Sequence, residues 1–146
     1  MIVYHSVSWW WIPGFALGWF AWTFNEYLTH RFMLHDFFFF RNMHDLHHDD
    51  SNECTGTPPI ITLSAYIISL LLFGFHSSII VVGWYVGFLT FIYLHAKTHT
   101  WQYSKLRTEW ARKLKVRHML HHKFPQTNYG VTLALWDELF GTEKKR

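Results

Sequence analysis

The chain is poor in the residues from which most soluble redox and metal sites are built. Its one cysteine, Cys54, leaves no pair for a disulfide, a zinc ribbon or a CxxC redox centre. Charge is scarce as well: Asp, Glu, Lys and Arg make up 16% of the residues, against roughly 25% in an average soluble protein. None of the four occurs in residues 1–25 or in residues 54–96. A GxGxxG fingerprint is missing too, so the chain carries no nucleotide-binding signature of its own. The net charge of +3 is too small to point to nucleic acid.

What the 146 residues hold instead is apolar and aromatic: half are hydrophobic, and 14 Phe, 9 Trp and 7 Tyr bring the aromatic share to 21%. A water-soluble enzyme is thereby disfavoured, and the length fits one domain over residues 1–146. Residues 8–24 are long enough to cross most of a bilayer core, which takes about 17–25 residues, and are read as a first membrane helix. Without a basic segment before it or a small-residue cleavage site after it, this helix is expected to stay attached. The alternative is a re-entrant or interfacial segment broken at Pro13-Gly14. The second uncharged stretch, interrupted at Gly74, His76, Ser77 and Ser78, reads as a helical hairpin with arms at residues 59–73 and 79–94. A hairpin returns the chain to the face it left. All 13 Lys and Arg fall in residues 31–53 and 95–146, which the positive-inside rule places on the cytoplasmic side. The expected architecture is an all-α integral membrane protein whose short transmembrane helices carry a helical cytoplasmic cap.

The cap is where the histidines are. Of the 12, ten fall in four clusters: His30 and His35; His44, His47 and His48; His95 and His99; His118, His121 and His122. Spacings of three and four residues place side chains on one helical face, so each HxxHH triplet and the HxxxH pair can aim imidazoles at a common point. His30 and His35 are five apart, roughly 140° round an α-helix; they either flank a metal pair or straddle a distorted helix end. Imidazole suits Zn, Fe, Cu and Ni, and ten of them are too many for one ion of four to six ligands but natural for two. Carboxylates that could orient such ligands or offset charge are Glu26, Asp36, Asp45, Asp49, Asp50 and Asp137. His5 and His76 lie apart from the clusters and are left out of the site.

The four histidine boxes in this order, followed by HMLHHKFPQTNYGVTLALWDELFGT at residues 118–142, resemble the fatty acid hydroxylase/sterol desaturase superfamily of integral-membrane histidine-box diiron oxygenases. The resemblance covers residues 26–142. It implies that His30, His35, His44, His47, His48, His95, His99, His118, His121 and His122 are metal ligands, holding two iron ions in the working enzyme, with zinc a substitute after purification. Asn128, Gly130, Trp136 and Asp137 match the tail signature, where a structural or orienting role is expected. No catalytic residue beyond the metal ligands is assigned.

A C–H bond in a lipid chain has no acidic proton and no leaving group, so its oxidation calls for a redox metal rather than acid–base groups. The resemblance thus implies a monooxygenase that uses dioxygen to hydroxylate a lipid, foremost a fatty acyl chain. Carotenoid hydroxylation and sterol or lipid desaturation are the alternatives on the same site, and a non-catalytic membrane metal-binding protein is the alternative of another class. Electrons are expected from a separate electron-transfer protein, for which the basic residues between Lys105 and Lys123 are a candidate docking face. The run Phe37–Phe40 is expected at the interface or between helices, or as the lining of an acyl channel.

Overall fold

The computed structural model describes residues 9–50 and 79–145. Helix α1 (Trp11–Leu28) runs into a π-helical turn (Thr29–Leu34), and α2 (Phe38–Asp49) follows. Helices α3 (Ile79–Thr100), α4 (Glu109–Lys123) and the short α5 (Leu135–Leu139) complete the described part, which contains no strand. The first arm of the expected hairpin, Cys54, His5 and His76 lie outside the described residues.

Helix α1 is continuous through Pro13 and Gly14, so there is no break at that pair. Pro13 sits in the first turn, where its missing N–H would have had no intrahelical partner. Helix α3, described from Ile79, covers the expected second arm and runs past residue 94 to Thr100. That extra turn and a half carries His95 and His99 on the same rigid rod as the apolar segment. By length and composition α3 is able to cross a membrane: 22 residues rise about 33 Å, against a hydrocarbon core of about 30 Å.

Helices α1 and α3 pack through glycines spaced four apart on each: Gly14 and Gly18 on one, Gly83 and Gly87 on the other. A Cβ on Gly18 would fall 1.9 Å from the Ile80 carbonyl oxygen, and one on Gly83 would fall 2.1 Å from that of Phe15. The two backbones touch, which small residues at this spacing permit. Trp22 then lies over Gly87 and meets Trp84 and Phe88 edge-on, with ring centroids 5.3 and 5.0 Å apart.

At the far end of this pair the chain folds back on itself. Thr108 caps α4, its hydroxyl accepting from the Ala111 N–H at 3.3 Å, and α5 returns the tail to α1. There Trp136 packs on Phe20 and Phe24 (5.1 and 4.6 Å) and donates its indole N–H to the Thr23 hydroxyl at 2.9 Å. The apolar core of the cap is small, consisting of Leu94, Leu114 and Val131 with Phe91 and Trp101 against them. Most of what is buried there is polar, above all seven of the histidines.

The glycine contact predicts a steep size dependence. Gly83→Val forces the helices apart and costs about 1–3 kcal/mol or more, whereas Gly141→Asn, in open space at φ +68, costs little because Asn tolerates that conformation. Thermal unfolding of the two variants in the same detergent measures the difference; equal midpoints would contradict the packing.

Candidate metal centre

The structure brings all ten clustered histidines together, and it sorts them in an order the sequence boxes do not follow. One group is His30, His35, His44, His48 and His121; the other is His47, His95, His99 and His118. Within each, one ligand atom per residue lies within 4.8 Å of all the others. His122 sits beside the second group, its Nε2 3.3 Å from that of His118 and its ring centroid 4.6 Å from that of His47. Each HxxHH triplet is thus divided. On α2, His44 and His48 face one group while His47 faces the other; on α4, His121 and His118 part in the same way.

The π-helical turn explains the pair five residues apart. Widening the helix to an i→i+5 pattern brings His30 and His35, which an α-helix would splay, into the same group, with ring centroids 5.2 Å apart. Of the two arrangements open at the sequence level, this is the distorted helix end.

The donor set fits metal ions. Nε2 atoms approach one another at 3.1 Å (His30 and His44), 3.2 Å (His35 and His121; His48 and His44) and 2.7 Å (His118 and His99). Ligand nitrogens about 2.0–2.1 Å from an ion are separated by about 2.8–3.0 Å along the edge of an octahedron and by about 3.3–3.4 Å along that of a tetrahedron, so the spacing is close to that of a shared coordination shell. His47 has both ring nitrogens buried without a hydrogen-bond partner, an arrangement that an ion relieves and that is otherwise costly.

Burial favours the neutral form of His30, His35, His47, His48, His118, His121 and His122. Burial, reinforced by the charges of neighbouring histidines, pushes His35 and His122 down to about 3 and His47 to about 2. The same causes hold His30, His118 and His121 well below the usual histidine value. Neutral imidazole is the metal-binding form.

Two histidines are also fixed from behind. The Nδ1 of His30 lies 2.6 Å from the Tyr129 carbonyl oxygen and that of His121 lies 2.7 Å from that of Thr127. A carbonyl only accepts, so each Nδ1 carries the proton and each Nε2 presents its lone pair to the group. The loop supplying these carbonyls is secured by two buried acids. Glu26 Oε1 accepts from the Val131 and Thr132 N–H groups at 2.6 and 2.9 Å. Asp137, fully buried, accepts from the N–H groups of Tyr129 and Gly130, from the Thr142 hydroxyl and from Arg117. Burial raises its pKa and those four donors oppose the rise.

Of the other candidate carboxylates, Asp36, Asp49 and Asp50 are exposed, and Asp45 pairs with Arg41 at 3.5 Å on the surface. Asn128 holds the left-handed conformation (φ 55) and clasps Lys144 through both its amide atoms. Gly130 is required by close approach, since a Cβ would lie 2.3 Å from the Leu133 carbonyl oxygen. Part of the basic run is engaged internally: Arg117 with Asp137, Lys115 with the Thr98 carbonyl, Arg112 with that of Leu106 and Lys113 with Glu109. Phe37, Phe38 and Phe39 are 60, 78 and 61% exposed, so among the described residues they hold no helices together.

The described residues are thus all-helical, with ten histidines converging on two adjacent groups that could hold metal ions. The fatty acid hydroxylase family profile matches residues 15–142, and the chain is a member of that family. Among curated proteins it is similar to a ceramide very long chain fatty acid hydroxylase of Schizosaccharomyces pombe (30% identical, covering 90% of this chain and 42% of that protein). It is similar also to its namesake in Saccharomyces cerevisiae (29%; 88% and 37%) and to the fatty acid 2-hydroxylase of Mus musculus (26%; 88% and 38%). The chain spans about two-fifths of the length of these relatives. No solved structure matches it.

Because the folded histidines hold their protons far less tightly than free histidine does, the unfolded chain binds more protons below the ordinary value of 6.5, and stability rises with pH through that window. Metal-free protein is therefore expected to lose stability progressively as pH falls from 6.5 toward about 3. Melting temperature against pH in the presence of a chelator checks this; a flat profile would contradict a neutral cluster.

Proposed function

We propose that this protein is a membrane monooxygenase that hydroxylates a lipid acyl chain with dioxygen, using two iron ions held by the ten histidines. The observation that carries the reading is the division of those histidines into two adjoining groups with coordination-shell spacing. His30, His35, His44, His48 and His121 hold one ion; His47, His95, His99, His118 and His122 hold the other. Family membership and relatives named for fatty acid and ceramide hydroxylation favour an acyl chain over a carotenoid or a sterol.

An iron pair would activate dioxygen, the oxidant that an unactivated C–H bond requires, which no amino-acid side chain does. The chain's part is to bind and hold. Neutral imidazoles provide ligands without offsetting charge, and their burial keeps bulk water from the ions. The Tyr129 and Thr127 carbonyls keep His30 and His121 in the ligating tautomer. Helix α3 ties the centre to the membrane: its apolar part enters the bilayer with α1 packed beside it, and its last turns carry His95 and His99 at the end of that apolar segment. The histidines then meet a lipid at the interface on the cytoplasmic side, where the basic residues gather. Electrons come from a separate carrier, for which Lys105 and Arg107 remain exposed on the cap.

The test is product formation. Purified protein in lipid, loaded with ferrous iron and supplied with a reductant and isotope-labelled dioxygen, is expected to place labelled oxygen in an acyl chain, read by mass spectrometry. His121→Ala and His47→Ala should each abolish it, whereas His76→Ala should leave it nearly unchanged. No labelled lipid from iron-loaded, reduced protein, or full activity in the His121 variant, would overturn the reading.

A further inference from the structure

One buried acid stands behind two histidines of the first group. The Tyr129 carbonyl that holds His30 belongs to the same peptide unit as the Gly130 N–H. In a trans peptide these point in opposite directions, so a partner for the N–H aims the carbonyl. That partner is Asp137 Oδ2, at 2.9 Å, and the neighbouring Tyr129 N–H is taken by Oδ1 at 2.8 Å. The Thr127 carbonyl that holds His121 likewise shares its peptide unit with the Asn128 N–H, which donates to the Thr142 carbonyl at 3.0 Å. Thr142 is held in turn by Asp137: its hydroxyl donates to Oδ1 at 2.8 Å and its N–H donates to the Asp137 carbonyl, also at 2.8 Å.

Both chains of contact start at Asp137, and both end on a histidine of the five-membered group. Neither reaches His47, His95, His99 or His118. Arg117, at 2.9 Å from Oδ2 with its side chain largely covered, offsets the buried charge. Glu26 secures the adjoining Val131 and Thr132 N–H groups, one step beyond the peptide that faces His30.

We infer that Asp137 is a positioning residue for one metal ion of the pair: through the 129–130 and 127–128 peptides it sets the orientation and tautomer of His30 and His121, and it leaves the second ion's ligands alone. The inference deepens the dimetal reading and rests on it. Asn in place of Asp137 keeps the size but turns one of the two acceptor atoms into a donor, facing N–H groups that are themselves donors. Whichever way the amide turns, an N–H or hydroxyl donor that Asp137 satisfied loses its acceptor, so the loop behind His30 and His121 is held less firmly although the Thr142 N–H bond to the residue-137 carbonyl remains.

The experiment titrates cobalt(II) into full-length, metal-stripped protein in lipid, following its visible absorption and the number of ions bound per chain. Wild type is expected to take two. Asp137→Asn should weaken one of them by on the order of 10–100-fold, the usual effect of losing an orienting partner, while the other keeps its affinity and spectrum. Pairing the change with ligand variants identifies the site. Added to His121→Ala, Asp137→Asn should have little further effect; added to His47→Ala, it should leave no tight ion. Thr142→Val removes the hydroxyl's contacts with Asp137 and Tyr27 while keeping the backbone bonds, and should weaken the same ion more mildly, so the inference is decided even where the Asp137 variant does not fold. Two wild-type affinities in both variants, or equal weakening of the two ions, would overturn it while the dimetal reading stood. Fewer than two ions on wild type would remove both.

Discussion

Ten imidazoles packed into two adjoining groups, with Nε2 atoms of the first as close as 3.1–3.2 Å, set the terms for everything around them. Like poles face like poles, and water is kept out of much of the cluster, so the arrangement opposes folding wherever protons or empty lone pairs are left to compete. Elsewhere in a small helical cap such a space would be filled with Leu and Ile. Here the apolar core shrinks to a few residues and the histidines take its place. The cap is consequently held from outside the cluster: by the close contact of α1 with α3, and by the tail pressed on α1 through Trp136 and Phe140.

The interleaving of the two donor groups follows from helix geometry. Neighbouring histidines on a helix point about 100° apart, so an HxxHH triplet cannot turn all three toward one ion, and each triplet bridges two. That bridging makes the pair of groups one unit. Helices α2 and α4 each contribute to both groups, α3 to the second only and the π-helical turn to the first only. The first group is braced by backbone carbonyls, with Asp137 and Glu26 behind the loop that supplies them.

The helices and the histidine faces were legible in the sequence because they rest on local periodicity. Residues 79–94 read as an apolar helix from composition alone, but its continuation through His99 did not, since polar residues there interrupt the hydrophobic pattern without ending the helix. The five-residue step from His30 to His35 signalled a departure from α geometry, and only the fold decides between a π-turn and two separate ions. Which histidine joins which group depends on the relative placement of four elements and is not a local property. The glycine pairs at 14/18 and 83/87 stand in the sequence as two GxxxG patterns; that signal was available and was missed beside the hydrophobic runs that contain them. Asp137 was identifiable as a candidate orienter from the tail signature. Its reach to both His30 and His121 depends on peptide units that no spacing rule reveals. The basic stretch was the least legible: Arg112, Lys115 and Arg117 each turn back to acceptors within the cap.

The most direct test of the account is metal content per chain in protein purified gently and reloaded with ferrous iron, measured by elemental mass spectrometry against chain concentration from amino-acid analysis. Two ions in wild type and one tightly held ion in each of His47→Ala and His121→Ala is the predicted result. One ion in wild type, or wild-type content in either variant, would contradict the division of the histidines into two sites.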